Sequence, residues 1–436
     1  MGLEMCDAGY PRVLVVDAVS FQRRMNVGIL KSNFFLGWPA SSLAQVIVGE
    51  DKPDFSICEK YWRITRRDRI RAGSGKCLAR ESAKEAAPNG AGKEPPNRLR
   101  SKKWTDQVFA ALGYLPWATP IPITGEFQNW LTELRPQLIF TLGAALSVLS
   151  VVRRLSDELA IPVVPLFTDD WIEWVYQGGA LYPILRSRLR EAFDDCLRRS
   201  PVRLTVSEKM AEEYTRRYGG EFLPCMDLVS LDHSGYTPYA VRKGPVKFLF
   251  VGYLEPDRWR SLKLLGDSLK ALREEGLDAS LDIYTFPDQI AKYGPILHSP
   301  PAVEVRGTVP AEQVSALLSD ADVLVHAEAF GLQDAAMISL SFSTKIPQYL
   351  AASRAILGIG PGNTASMQYI ERSGGGIVVG QEGGPALKEA VQRLACDADL
   401  RVRLGQKARQ TAETNHDAVA GRERFKRVLA KVAQSH

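Results

Sequence analysis

Short β-branched apolar runs alternate along this chain with longer segments whose apolar residues recur every three or four positions. The first pattern suits a strand buried on both faces, and the second presents one stripe of a helix to a core. The runs predict strands at Arg12–Val19, Leu138–Leu142, Pro162–Phe167 and Val202–Val206 in the first half. In the second half they predict Lys247–Val251, Ser280–Thr285, Val303–Gly307, Asp322–His326, Ala355–Ile359 and Gly376–Val379. Helical segments fall between them, for example Ser261–Glu275, Pro310–Ser319 and Gly384–Cys396. Such alternation builds parallel sheets with crossover helices. The longest apolar stretch, Leu138 to Val152, stops at Arg153-Arg154 and is too short to cross a bilayer. It reads as a strand, a turn at Gly143 and a buried helix.

At 436 residues the chain should hold two domains, each able to bury its own core. A polar joint containing Pro and Gly, 231–245, separates an N-terminal domain, 1–230, from a C-terminal one, 246–412. The last stretch, Leu400 to Ala433, predicts a long helical region, with 413–436 packing back on the first domain. The expected fold class is α/β: two Rossmann-like, doubly wound domains facing a cleft, where the carboxyl ends of the strands meet a ligand.

The net charge of +5 hides a strong local bias. Between Lys60 and Lys103 stand 14 Lys/Arg and 4 Asp/Glu, a local +10 that leaves about −5 for the rest. Residues 71–103 are rich in Gly, Ala, Pro and charge, so they predict a mobile insertion that cannot bury enough surface to order itself. Without interleaved aromatics the basic run argues against nucleic acid. The six cysteines are scattered, which suits a reducing, cytoplasmic setting, and the start of the chain carries no basic-then-apolar leader. Leu185 to Arg203 and the C-terminal helix are basic and amphipathic, a pattern compatible with peripheral contact with a membrane face.

The segment LSFSTKIPQYLAASRAILGIG, Leu340 to Gly360, carries the most chemistry. Ser343 and Thr344 open a helix with Lys345 beside them and Pro347 in its first turn, then an apolar strand follows. First-turn amides lack intrahelical partners, and a lysine at that mouth points to phosphate. Asp169 and Asp170 end a strand and begin DDW, one to cap a helix and the other to face the ligand as a base or hydroxyl-orienting group. The triplets Asp320-Ala321-Asp322 and Asp397-Ala398-Asp399 and the five histidines lack metal-ligand context, so no metal is expected.

With this order of elements, four segments resemble the donor-nucleotide half of GT-B-fold glycosyltransferases, most similar to glycosyltransferase family 4 of the bacterial polysaccharide-assembly type. They are FLFVGYLEPDRWRSLKLL, VEVRGTVPAEQVSALLSDADVLVHAEAF, STKIPQYLAASRAILGIGPG, and the tail around Arg401, Leu404, Gly405 and His416. The stretch from Pro162 to Leu223 matches more loosely, and the Gly-rich loop of many relatives is replaced by VSFQRRMNVGILKSNFF. The resemblance implies a retaining hexosyltransferase that moves a sugar from a nucleoside-diphosphate sugar to a glycan or lipid-linked acceptor, with no separate cofactor.

Together with the readings above, it points to catalytic roles for Asp169, Asp170, Arg258 and Lys345. It implies donor contacts from Gly252, Tyr253, Arg258, Arg306, Gly307, Val309, Glu328, Ser343, Thr344, Lys345 and Gln348. In the donor-nucleotide half the chain departs from the family in four places: Tyr253 stands for an arginine, Arg258 for a lysine, and Leu340 and Gln348 for two glutamates. Two other readings stay open, a non-catalytic nucleotide-sugar-binding protein and a nucleotide-sugar epimerase of the same fold.

Overall fold

A computed structural model describes residues 9–22, 26–65, 79–81, 123–176, 182–231, 239–241, 244–331 and 338–435. The chain divides into two compact units, Met1–Cys225 with Val419–His436, and Met226–Ala418.

The first unit is an eight-stranded sheet in the order β4-β3-β2-β1-β5-β6-β7-β8. Its strands are β1 (Val13–Asp17), β2 (Leu43–Val48), β3 (Tyr61–Ile64), β4 (Ala79–Glu81), β5 (Leu138–Thr141), β6 (Val163–Phe167), β7 (Leu204–Thr205) and β8 (Leu223–Pro224). All pairs are parallel except β3 with β4. Thus Ala79–Glu81, inside the stretch expected to be a mobile insertion, joins the sheet edge, while the rest of 71–103 lies outside the described residues.

Helices α1 (Asn26–Phe35), α2 (Gly125–Leu134), α3 (Leu146–Leu159), α4 (Trp171–Trp174), α5 (Tyr182–Arg198) and α6 (Glu208–Tyr218) connect these strands. Gly143 takes φ +61 between β5 and α3, the turn expected there. The basic face of α5 is tied to acids: Arg186 lies 3.0 Å from Glu173, Arg188 3.2 Å from Glu191, and Arg199 2.8 Å from Asp195.

The second unit is a six-stranded, wholly parallel sheet in the order β11-β10-β9-β12-β13-β14. Its strands are β9 (Val246–Val251), β10 (Ala279–Tyr284), β11 (Val303–Arg306), β12 (Val323–Ala327), β13 (Ala355–Ile359) and β14 (Gly376–Val379). The interior strands β12 and β13 are buried at every position, as expected of strands covered on both faces in a parallel sheet. The intervening helices are α7 (Arg258–Glu274), α8 (Pro287–Leu297), α9 (Ala311–Ser319), α10 (Lys345–Ala351), α11 (Ala365–Ser373), α12 (Pro385–Cys396) and α13 (Ala398–Thr411). They cover a core built on Phe248, Leu265, Leu281, Val325 and Leu357.

The closing region is not one helix. A π-helical turn, Ala412–His416, separates α13 from α14 (Ala418–Gln434). His416 is wholly buried there, its Nδ1 2.8 Å from the Asp227 carbonyl and its Nε2 2.8 Å from the Tyr369 hydroxyl. These anchors replace the ordinary helical ladder and turn the chain. Past the turn, α14 belongs to the first unit, where Phe425 packs edge-on against Phe35 and Phe140 at 5.2 and 5.6 Å. Such aromatic pairs contribute about 0.5–1.5 kcal/mol beyond their burial. Among the described residues no helix is long and apolar enough to cross a membrane.

Candidate functional site: a cationic cradle in the second unit

Strand β9 ends at Val251 and hands over to Gly252, whose φ of +146 few other residues adopt. A Cβ at Gly252 would overlap the ammonium nitrogen of Lys345 and lie 2.8 Å from its Cε. The missing side chain is therefore what admits the lysine. Lys345 begins α10, and its Nζ sits 5.1 Å from the centre of the Phe250 ring. Among the described residues no carboxylate pairs with that ammonium. Burial, and then the nearby Arg258 charge, draw its pKa down to about 7. A cation held in this way gains by meeting an anion.

Arg258 is the first residue of α7 and donates from one guanidinium nitrogen to the Glu255 carbonyl. Burial lowers its pKa, and the Glu328 charge partly opposes that shift. Glu328 follows β12 and is almost wholly buried. Its Oε1 lies 3.1 Å from His326 Nε2, and its Oε2 accepts from the Thr364 hydroxyl at 2.8 Å. Burial would raise the Glu328 pKa, but the His326 contact, Thr364 and the Arg258 charge outweigh it, so the net shift is downward. Glu328 thus stays an anion without neutralising Lys345.

Other residues named from the sequence are less concentrated. Ser343 Oγ accepts from the Lys345 amide at a long 3.4 Å, and Thr344 stands at the N-cap of α10 without a side-chain capping bond. Because α10 has only 7 residues, its tip adds little field, and the two side-chain cations carry the electrostatics instead of the helix end. Gln348 is exposed on α10, and Leu340 is buried. Arg306, at the end of β11, forms an ion pair with Asp282 at 3.1 Å, while Gly307 is exposed and Val309 half-buried in the loop that follows. Tyr253 is 46% exposed and packs at a tilt against Phe286 with ring centres 4.5 Å apart.

In the first unit the two aspartates separate. Asp169 is exposed after β6. Asp170 occupies the N-cap position of α4 without capping it, because its oxygens accept from Tyr214 at 3.2 Å and from Arg217 at 2.7 Å. Burial still pushes its pKa up against those contacts. Asp170 is therefore a cross-helix strut, and the expectation that one of the two aspartates caps this helix through its side chain is not met by Asp170.

The D-x-D triplets also have local work. Asp322 accepts from Tyr239 at 2.7 Å and from the Lys247 amide at 2.8 Å, Asp320 pairs with Lys247 Nζ at 3.2 Å, and Asp397 caps α13. Sequence reading had no signal for Phe250 or Thr364. Thr364 caps α11 by accepting from Met367 and reaches Glu328 only through the sheet topology.

No family model and no curated protein matches this chain. Solved structures do. One is HepE from Anabaena in complex with UDP and glucose, with a TM-score of 0.60 at 12% identity, covering 97% of this chain and 100% of that one. The chain has the GT-B fold. WaaG, a glycosyltransferase involved in lipopolysaccharide biosynthesis, gives a TM-score of 0.56 at 16% identity over 95% of this chain and 99% of its own. Sucrose-phosphate synthase from Thermosynechococcus elongatus gives 0.59 at 13% identity over 98% and 100%. At such identities the likeness is one of architecture.

Proposed function

We propose that this chain is a glycosyltransferase whose second unit binds a nucleoside-diphosphate sugar, with Lys345 and Arg258 on the diphosphate. The observation that carries the reading is the cradle itself. Two partly buried cations converge beside a glycine at the carboxyl end of β9, and neither has a carboxylate ion pair among the described residues. A buried cation without a counter-charge is costly unless a ligand supplies one. The GT-B fold and the UDP in HepE support a nucleotide as that ligand.

In the reaction the anomeric carbon–oxygen bond breaks, and its electron pair leaves on the diphosphate. The acceptor oxygen bonds that carbon and passes its proton to the departing diphosphate oxygen. Lys345 and Arg258 stabilise the charge that grows on the leaving group, the largest catalytic device available to such a site. Each charge-assisted contact contributes roughly 1.5–3 kcal/mol. We assign a hexose-type donor, a retaining outcome as in family 4, and a glycan or lipid-linked acceptor in polysaccharide assembly at the cytoplasmic face of a membrane. Asp169 is the acceptor-side candidate, and no metal is invoked. Leu340, buried and apolar where relatives carry a glutamate, favours one competing reading, a nucleotide-sugar binder without turnover.

Calorimetry with UDP, GDP and TDP tests the binding step. Lys345→Ala and Arg258→Ala should each weaken the nucleotide that binds by about tenfold, or ~1.4 kcal/mol. Unchanged affinity in both variants overturns the reading. Release of labelled sugar, with and without cell-envelope glycolipid, separates the transferase from the silent binder.

A further inference from the structure

Strands β9 and β10 run side by side with Val251 opposite Tyr284, so the residues just beyond that pair emerge together. Gly252 donates its amide to the Tyr284 carbonyl at 2.9 Å, which fixes the two chain ends in register. From these ends project Tyr253 and Phe286, 46% and 40% exposed, with rings 4.5 Å apart and tilted by 34°. Large aromatic rings usually gain by leaving water, and here two stay wetted while packed against each other. Their neighbour is the cationic cradle: Tyr253 is bonded to Gly252, over which the Lys345 ammonium lies.

The segment carrying Phe286 also holds hydrogen-bonding capacity that the protein leaves unused. Thr285 Oγ1 and Gln289 Oε1 are buried without a partner among the described residues.

Resting on the diphosphate reading above, we infer that Tyr253 and Phe286 form the platform on which the nucleobase of the donor stacks. One ligand joins the two features, a planar π-face tethered to two phosphates. An apolar protein partner would explain the rings but not the adjoining unpaired cations, and a free anion would explain the cations but not the rings. Stacking is tolerant of base identity because every base has a π-face. The platform therefore supplies affinity and leaves the choice among bases to edge contacts elsewhere.

The test uses the full chain with two probes, UDP and inorganic pyrophosphate, followed by calorimetry. In the Tyr253→Leu/Phe286→Leu double variant, which keeps the apolar bulk and removes the π-faces, UDP affinity should fall about tenfold, or ~1.4 kcal/mol. Pyrophosphate affinity should stay within about twofold of the wild-type value. Lys345→Ala should weaken both probes. The uracil H5 and H6 resonances should move upfield on binding wild-type protein, and this ring-current shift should vanish in the double variant while persisting in Tyr253→Phe. A UDP affinity untouched by the double variant, or a missing upfield shift, overturns the platform and leaves the diphosphate site standing. Wild-type protein that binds neither probe overturns both.

Discussion

In the first unit Lys31 and Asp17 are both almost wholly buried, with Nζ 3.3 Å from Oδ2, and Arg217 closes on buried Asp170 at 2.7 Å. In the second unit Lys345 and Arg258 share a comparable place beyond a sheet's carboxyl end, yet neither meets an acid in an ion pair among the described residues. Glu328, whose charge acts on Arg258, is bound to His326 and Thr364. One unit pairs these buried charges internally, and the other leaves two positive charges without an acid partner among the described residues. Burial raises the Asp17 pKa and lowers the Lys31 pKa, so even the paired charges are held against desolvation. The same folding plan thus yields paired buried charges in one half and, in the other, two cations that the proposed function assigns to a ligand.

The sharpest break in that contrast is Lys31→Met. It strands Asp17 and should cost about 3–5 kcal/mol in urea denaturation. The double variant Asp17→Asn/Lys31→Met should recover most of that loss, and a costless single variant would erase the distinction between the units.

Gly252→Ala should be next. A side chain at φ +146 and overlap with Lys345 together cost about 1–3 kcal/mol of stability. Displacing the ammonium should also lower nucleoside-diphosphate affinity at least tenfold by calorimetry.

Lys345→Met should act with the opposite sign to Lys31→Met, stabilising the fold by about 1–2 kcal/mol because it deletes a desolvated cation. The folded pKa of about 7 lies below the ordinary 10.5, so the unfolded chain binds the extra proton between these values and wild-type stability rises with pH there. The advantage of the variant is therefore full below pH 7 and fades towards pH 10.5. Thermal melts at pH 6 and pH 10 check it, and a constant difference refutes it.

A smaller effect should be seen at pH 8, where UDP binding to the wild type should take up a fraction of a proton as the diphosphate restores the charge of Lys345. The calorimetric enthalpy should then vary with buffer ionisation heat in the wild type but not in Lys345→Met. Smallest of all, Arg306→Ala breaks an exposed pair with Asp282 and should change stability by less than about 1 kcal/mol.

Legibility differed between the units for a physical reason. The six strands of the second are β-branched runs bounded by polar turns, and Ala355–Ile359 and Gly376–Val379 fall where periodicity sets them. In the first unit β2, LAQVIV, escaped assignment. It carries Gln45 at a fully buried position, where the amide donates to the Val19 carbonyl and accepts from the Phe21 amide. Partners more than twenty residues away give no local signal. The fate of Asp170 was hidden in the same way, since Arg217 is distant in sequence and close only across α4 and α6. The break at Ala412–His416 rests on Asp227 and Tyr369, which no helical pattern announces.

By itself the sequence determined the alternation of buried strands and amphipathic helices, and with it the parallel sheets, because periodicity acts through near neighbours and burial is the dominant favourable term in folding. It also named Lys345, Arg258 and Gly252 as separate candidates. Only the tertiary structure decided that the lysine rests over the glycine, that Glu328 is spoken for, and that Asp170 is a strut. Whether a charge is paired depends on which loops a sheet brings together, and that is a property of contacts between segments far apart in the chain.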